Sequence, residues 1–146
     1  MRVSLQHLIL CILVGLAGPH LVYGQVSVIA NPSVPIDSLD RSDLLDLYSG
    51  DKKIWSDGQP VVVLDLKPRS GLKDAFYKYL GKSSSRMKAL WLKKKLSGEG
   101  DPPASFENEA LLLEHLKETP GAIGFVGFSF ANETVKTLLV IPPEGS

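Results

Sequence analysis

The run VVVLDL at residues 61–66 and the stretch GLKDAFYKYLG at residues 71–81 are separated only by KPRS. The first is the strongest strand signal in the chain, rich in β-branched side chains. In the second, Leu72, Phe76, Tyr79 and Leu80 fall on one helical stripe that Gly81 ends. A strand that turns directly into a helix must lay that helix back across its own sheet, which restricts the chain to layered α/β architectures.

The same alternation continues on both sides. VSVIA (26–30) is short and β-branched, and Asn31, Pro32 and Pro35 stop it, so it reads as a buried first strand with an exit loop. Asp40 is the expected N-cap of a two-turn helix that carries Leu44, Leu45, Leu47 and Tyr48 and closes at Gly50. Trp55, Asp57-Gly58 and Pro60 then make a tight reversal into the strong strand. Further on, Ser83, Ser84 and Ser85 cap a helix expected to send Met87, Leu90, Trp91 and Leu96 inward. Lys93, Lys94 and Lys95 form its solvated C-terminal end, where the helix dipole favours cations. A Gly/Pro loop leads to a helix capped by Ser105, with Leu112, Leu113 and Leu116 facing inward. AIGFVGFSF and TVKTLLVI, joined by the turn ANE, read as a closing hairpin, and Pro142-Pro143 ends it. This order predicts one three-layer α/β/α domain built on a mixed sheet.

Residues 1–24 read as a secretory signal: an early cation at Arg2, an apolar run from Leu8 to Ala17, then Gly18 and Pro19. The apolar core is about ten residues, short of the about 20 that span a bilayer as a helix. Val22 and Gly24 suit the recognition positions of a signal peptidase, which places cleavage after Gly24. Leu10 precedes Cys11 and the apolar run continues beyond it, which argues against lipid attachment there. Residues 25–146 then have the size of one domain with one core. The single cysteine leaves with the signal, so the exported domain is held by apolar burial without disulfides. A periplasmic location follows from this reading.

The 16 basic and 16 acidic residues cancel, which argues against nucleic acid or an anionic membrane surface as partner. Past residue 24 only His115 and no cysteine remain, too little imidazole or thiolate for a zinc site, and no cofactor is implied. No serine lies in a G-x-S-x-G elbow. His115 sits mid-helix beside Glu114 with nothing to aim it, and Asp43 and Asp46 have the spacing of an ordinary polar face. Catalysis has little support in such a set.

The junction at Ser70 and Gly71 differs in kind. A strand that feeds a helix start presents unsatisfied backbone N–H groups beyond the strand's C-terminal edge, where anions are favoured. Ser70 offers a hydroxyl, Gly71 lets the backbone approach closely, and Lys67 or Arg69 supplies charge, Arg69 with a fork suited to phosphate or sulfate. The same residues also serve as a plain N-cap and first turn with solvated cations.

SLDRSDLLDLYSGDKKIWSDGQPVVVLDLKPRSGLKDAFYKYLG and the later LKETPGAIGFVG resemble the phosphate-binding proteins of bacterial ABC phosphate importers. The shared pattern is a helix ending in Phe/Tyr-x-Gly, a Trp-x-Asp-Gly turn, a strand, a Ser-Gly helix start and a Thr-Pro-Gly-Ala-Ile-Gly-aromatic segment. The resemblance implies a type II periplasmic-binding-protein fold and a phosphate or other small oxyanion bound at Ser70 and Gly71, with Lys67 or Arg69 as the cation. A membrane transporter or envelope protein is the implied macromolecular partner. The family closes two lobes on its ligand, and this chain is long enough for about one, so a second copy would have to supply the missing wall. In the family a Thr follows the Ser-Gly pair and an Arg stands four residues before the Ser; Leu72 and Leu66 occupy those places here. Weak, wet oxyanion binding is the expectation, with a ligand-free interaction or structural module as the alternative. Trp55 and Tyr48 lie near the motif in the family layout and serve either as an apolar wall or as core.

Overall fold

The computed structural model describes residues 25–68 and 71–143; the expected signal sequence, Arg69 and Ser70 lie outside the described residues. In chain order the elements are β1 (Val26–Ala30), α1 (Arg41–Tyr48), β2 (Val62–Leu66), α2 (Gly71–Leu80), α3 (Ser84–Leu96), β3 (Ala104–Phe106), α4 (Glu109–Glu118), β4 (Ala122–Gly127), a single 3-10 turn (Phe128–Phe130) and β5 (Lys136–Ile141). The strands form one mixed sheet in the order β3-β2-β4-β1-β5. β3, β2 and β4 run parallel, whereas β1 is antiparallel to both β4 and β5.

Successive strand residues face opposite ways, and β4 shows what covers each face. On one side a methyl group on Gly124 would come within 2.9 Å of Leu112 Cδ2, so α4 packs closely there. On the other, Phe125 stacks on Phe76 of α2 with ring centroids 3.9 Å apart, and Tyr48 of α1 meets Phe76 edge-on at 4.7 Å. Helices on both faces make the three layers that the sequence predicts. Burying each such aromatic or leucine contributes about 1.5–3 kcal/mol.

The closing hairpin does not form. β1 lies between β4 and β5, with Val28 opposite Phe125 on one edge and Leu139 on the other. All five residues of β1 are buried, so the strand needs a ladder partner on each side, and β4 already uses its far edge for β2. The 3-10 turn after Gly127 ends β4 early and lets the chain pass over β1 before β5 begins.

Two caps and one face also differ from expectation. Ser105 lies in β3, paired with Asp65, and α4 is capped instead by Asn108, whose side chain accepts the Leu111 N–H at 2.9 Å. Leu96 points outward with 80% exposure, because it sits across α3 from the buried Met87 and half-buried Trp91. Lys94 is not a solvated end: its ammonium donates to the Ser49 carbonyl at 2.6 Å and to Asp51 Oδ1 at 2.9 Å. The caps at Asp40 and Ser83 are formed as expected.

The two motifs that carry the family resemblance dock on each other. Trp55, 2% exposed, donates its indole N–H to the Gly121 carbonyl at 2.9 Å, and the Gly121 N–H donates to Ser33 Oγ at 2.9 Å. Tyr48 is fully buried and donates its hydroxyl to the Leu64 carbonyl at 2.9 Å. Both aromatics are therefore core, not an apolar wall around a ligand.

Candidate functional site

β2 delivers Asp65, Leu66 and Lys67 to its C-terminal end, and α2 starts at Gly71. The first turn of α2 has backbone N–H groups with no partner inside the helix, at Gly71, Leu72 and Lys73. Gly71 is exposed, whereas Leu72 and Lys73 are half-buried. Arg69 and Ser70, the other expected ligand residues, fall outside the described residues.

Lys67 is held on the neighbouring strand's side. Its N–H donates to the Phe106 carbonyl at 2.9 Å, and its ammonium pairs with Glu107, both side chains being more than half exposed. Such an exposed pair is worth about 1 kcal/mol or less. An anion near Lys67 would compete with the Glu107 carboxylate. Leu66, 2% exposed, is locked into the core, and Leu72 is half-buried against it, so neither position offers a polar group.

Beside this junction lies a buried polar cluster that sequence reasoning missed. Asp65 is 6% exposed; its Oδ1 accepts the Leu66 N–H at 2.8 Å and its Oδ2 accepts the Tyr77 hydroxyl at 2.6 Å. Lys73 Nζ stands 3.3 Å from Asp65 Oδ2 and donates to the Leu66 carbonyl at 2.9 Å. The lysine thus pins the first turn of α2 to the end of β2. Lys73 and Tyr77 are neighbours on one helical face at i and i+4, and a lone Asp in the apolar run VVVLDL was the available signal. Burial first, and then the charge of Asp65, pushes the Tyr77 phenol far above its ordinary range; Tyr48 is raised mainly by burial too. A carboxylate so fully engaged by donors is arranged for structure, not for proton transfer.

The cluster forms the inner end of a cleft of about 520 Å³ between α2, α3 and the segment before β3. Met87, Trp91, Leu92, Pro102 and Pro103 supply its apolar walls, with Lys88 and Lys95 at the rim. Among the described residues no three His, Cys, Asp or Glu side chains come together to hold a metal ion. His115 is exposed and its ring lies 5.1 Å from that of Phe106. No helix of the described residues is long and apolar enough to cross a membrane.

The architecture matches solved phosphate-transport proteins. An ABC-type phosphate transport receptor from Vibrio cholerae superposes with a TM-score of 0.63 at 16% identity, over 80% of this chain and 47% of the receptor. A Clostridium perfringens protein, solved with bound phosphate and described as a candidate phosphate ABC transporter substrate-binding protein, gives 0.66 at 18% identity, over 81% and 46%. The chain shares the fold of about half of each of these proteins. PstS from Borrelia burgdorferi agrees, at 0.60 and 13% identity over 80% and 48%. The chain spans about half the length of these structures. No protein-family model matches the sequence, and neither does any curated protein.

Proposed function

We propose that this chain is an exported, non-enzymatic binding-protein-like domain, residues 25–146 after removal of 1–24, which takes inorganic phosphate or another small oxyanion weakly at the start of α2. The observation that carries this reading is the fold shared with those proteins over 80% of the chain, with Gly71 opening α2 directly after β2. Ser70 and the amides of Gly71 and Leu72 are the donors; Arg69 is the cation, with Lys67 as its helper when it leaves Glu107.

Weakness follows from the surroundings. Tight binding by neutral donors requires enclosure away from water, where each hydrogen bond is stronger. One open side, Leu66 and Leu72 in place of polar groups, and the carboxylates of Glu107 and Asp65 nearby all lower the affinity. A helix terminus alone is worth about 1 kcal/mol, well short of the about 4 kcal/mol that a millimolar dissociation constant requires. Ser70 and the charge of Arg69 must supply the rest, and millimolar is the tightest binding expected of one open lobe.

A periplasmic location and delivery to a membrane transporter go with this function. A second copy that closed the open side would raise the affinity. Titration calorimetry with phosphate and sulfate at low ionic strength tests the proposal. Saturable heat lost in Ser70→Ala and reduced in Arg69→Ala supports it, and no heat from folded protein at millimolar ligand rejects it. A second reading, an envelope interaction module without a ligand, is favoured by the packing of Leu72 against the core.

A further inference from the structure

Helix α3 carries two apolar faces. Met87 and Trp91 hold one against the body, where the Trp91 indole donates to the Tyr48 carbonyl at 3.1 Å. On the opposite side Ala89, Leu92 and Leu96, spaced i, i+3 and i+7, form a stripe open to solvent, with Leu92 59% and Leu96 80% exposed. Lys88 and Lys95 flank the stripe on one side, Arg86 and Lys93 on the other. Lys88, Lys93 and Lys95 enter no ion pair among the described residues. A helix that only covers the core typically turns a polar face outward.

Leu92 belongs both to this stripe and to the wall of the cleft, so the apolar surface runs from Leu96 over Leu92 to Trp91, Pro102 and Pro103. Its concave part has a volume of about 520 Å³. We propose that this surface docks an acidic, leucine- or phenylalanine-anchored segment of a partner protein. The shape favours a peptide over a bilayer, because a flat interface reaches the stripe but not the cleft. The charge selects acidic residues beside the stripe, since Arg86 and Lys93 flank it on one side and Lys88 and Lys95, at the mouth of the cleft, on the other. The apolar stripe lies on a helix, which offers no free backbone edge, so the segment binds it through side chains, as a helix in a groove.

The test uses protein purified from cells expressing the full-length chain, and a double variant Leu92→Asp/Leu96→Asp at these exposed positions. Random peptides of about 16 residues, about 24 Å long as a helix, are panned on the wild type with counter-selection on the variant. The expected consensus pairs Leu or Phe at helical spacing with Asp or Glu. Synthetic versions bind at least tenfold more weakly to the variant and several-fold more weakly to Lys88→Glu/Lys95→Glu, while circular dichroism stays unchanged. Failure to enrich wild-type-selective peptides, or a consensus lacking acidic residues, overturns the proposal. So does Leu96-dependent binding to phosphatidylglycerol vesicles in place of peptides, or Leu96-dependent self-association in sedimentation. The variants lie on α3 and not at the start of α2, and a phosphate titration of the same proteins reads the oxyanion site on its own, so failure of one proposal is distinguishable from failure of the other.

Discussion

The Tyr77 hydroxyl donates to Asp65 Oδ2 at 2.6 Å, joining the face of α2 to the end of β2 through a group that is neither backbone nor apolar. Lys73 reaches the same oxygen at 3.3 Å, so the carboxylate is shared between two side chains of one helix. The orientation of the α2 N-terminus depends on this joint.

Removing one partner of a buried ion pair leaves the other unmatched, at a cost of about 3–5 kcal/mol. Lys73→Met is therefore expected to destabilise the protein by that amount in urea unfolding. Tyr77→Phe, which loses a hydrogen bond to a charged acceptor, costs about 1.5–3 kcal/mol. A double variant Asp65→Asn/Lys73→Met that is less damaging than Lys73→Met alone would show that the unpaired charge is the source of the loss.

Tyr48 and Tyr77 have phenols raised mainly by burial, with the Asp65 carboxylate adding to the shift. Their folded-state values lie above the unfolded value of about 10, so the stability they contribute is complete below that pH and is lost as the pH rises past it. Phenolate absorbance of these two residues should grow only together with the loss of circular dichroism at alkaline pH. Ionisation of all tyrosines in a still-folded protein would contradict the packing around Asp65.

Gly121 has φ 77° and lies so close to the Pro60 carbonyl that a Cβ there would overlap its oxygen. Backbone strain and a steric clash combine, and Gly121→Ala is expected to cost about 3 kcal/mol or more. The Trp55 fluorescence spectrum should shift at the same time, because its indole bonds to the Gly121 carbonyl.

Much of the layering was legible because it depends on local signals. The caps at Asp40 and Ser83 and the apolar run of β2 specify their own elements. The sheet order was not, since the position of β1 between β4 and β5 is a long-range choice, and AIGFVG next to KTLLVI suits a hairpin equally well. In the same way Leu96 has the residue type of a core position, but α3 has more apolar residues than one buried face can hold. The Ser-Gly junction was visible as a strand-to-helix turn. The Asp65, Lys73 and Tyr77 cluster beside it was not, because its members come from two elements and meet only after packing.

Lys67 and Leu72 set the strength of the proposed oxyanion site. Glu107→Gln frees the Lys67 ammonium, and phosphate affinity at low salt should rise two- to threefold, an effect that vanishes at high ionic strength. Leu72→Thr adds a hydroxyl at the position next to Gly71 and should strengthen binding several-fold, while costing about 1–2 kcal/mol of packing. Calorimetry and urea unfolding on the same samples read both effects.

Backbone amide NMR during a phosphate titration locates the ligand directly. The account predicts saturable shifts at millimolar phosphate centred on the amides of Ser70, Gly71, Leu72 and Lys73, with the amides of α4 and β5 unmoved. Shifts absent from α2, or spread evenly over the exposed lysines, would contradict an oxyanion site at the start of that helix.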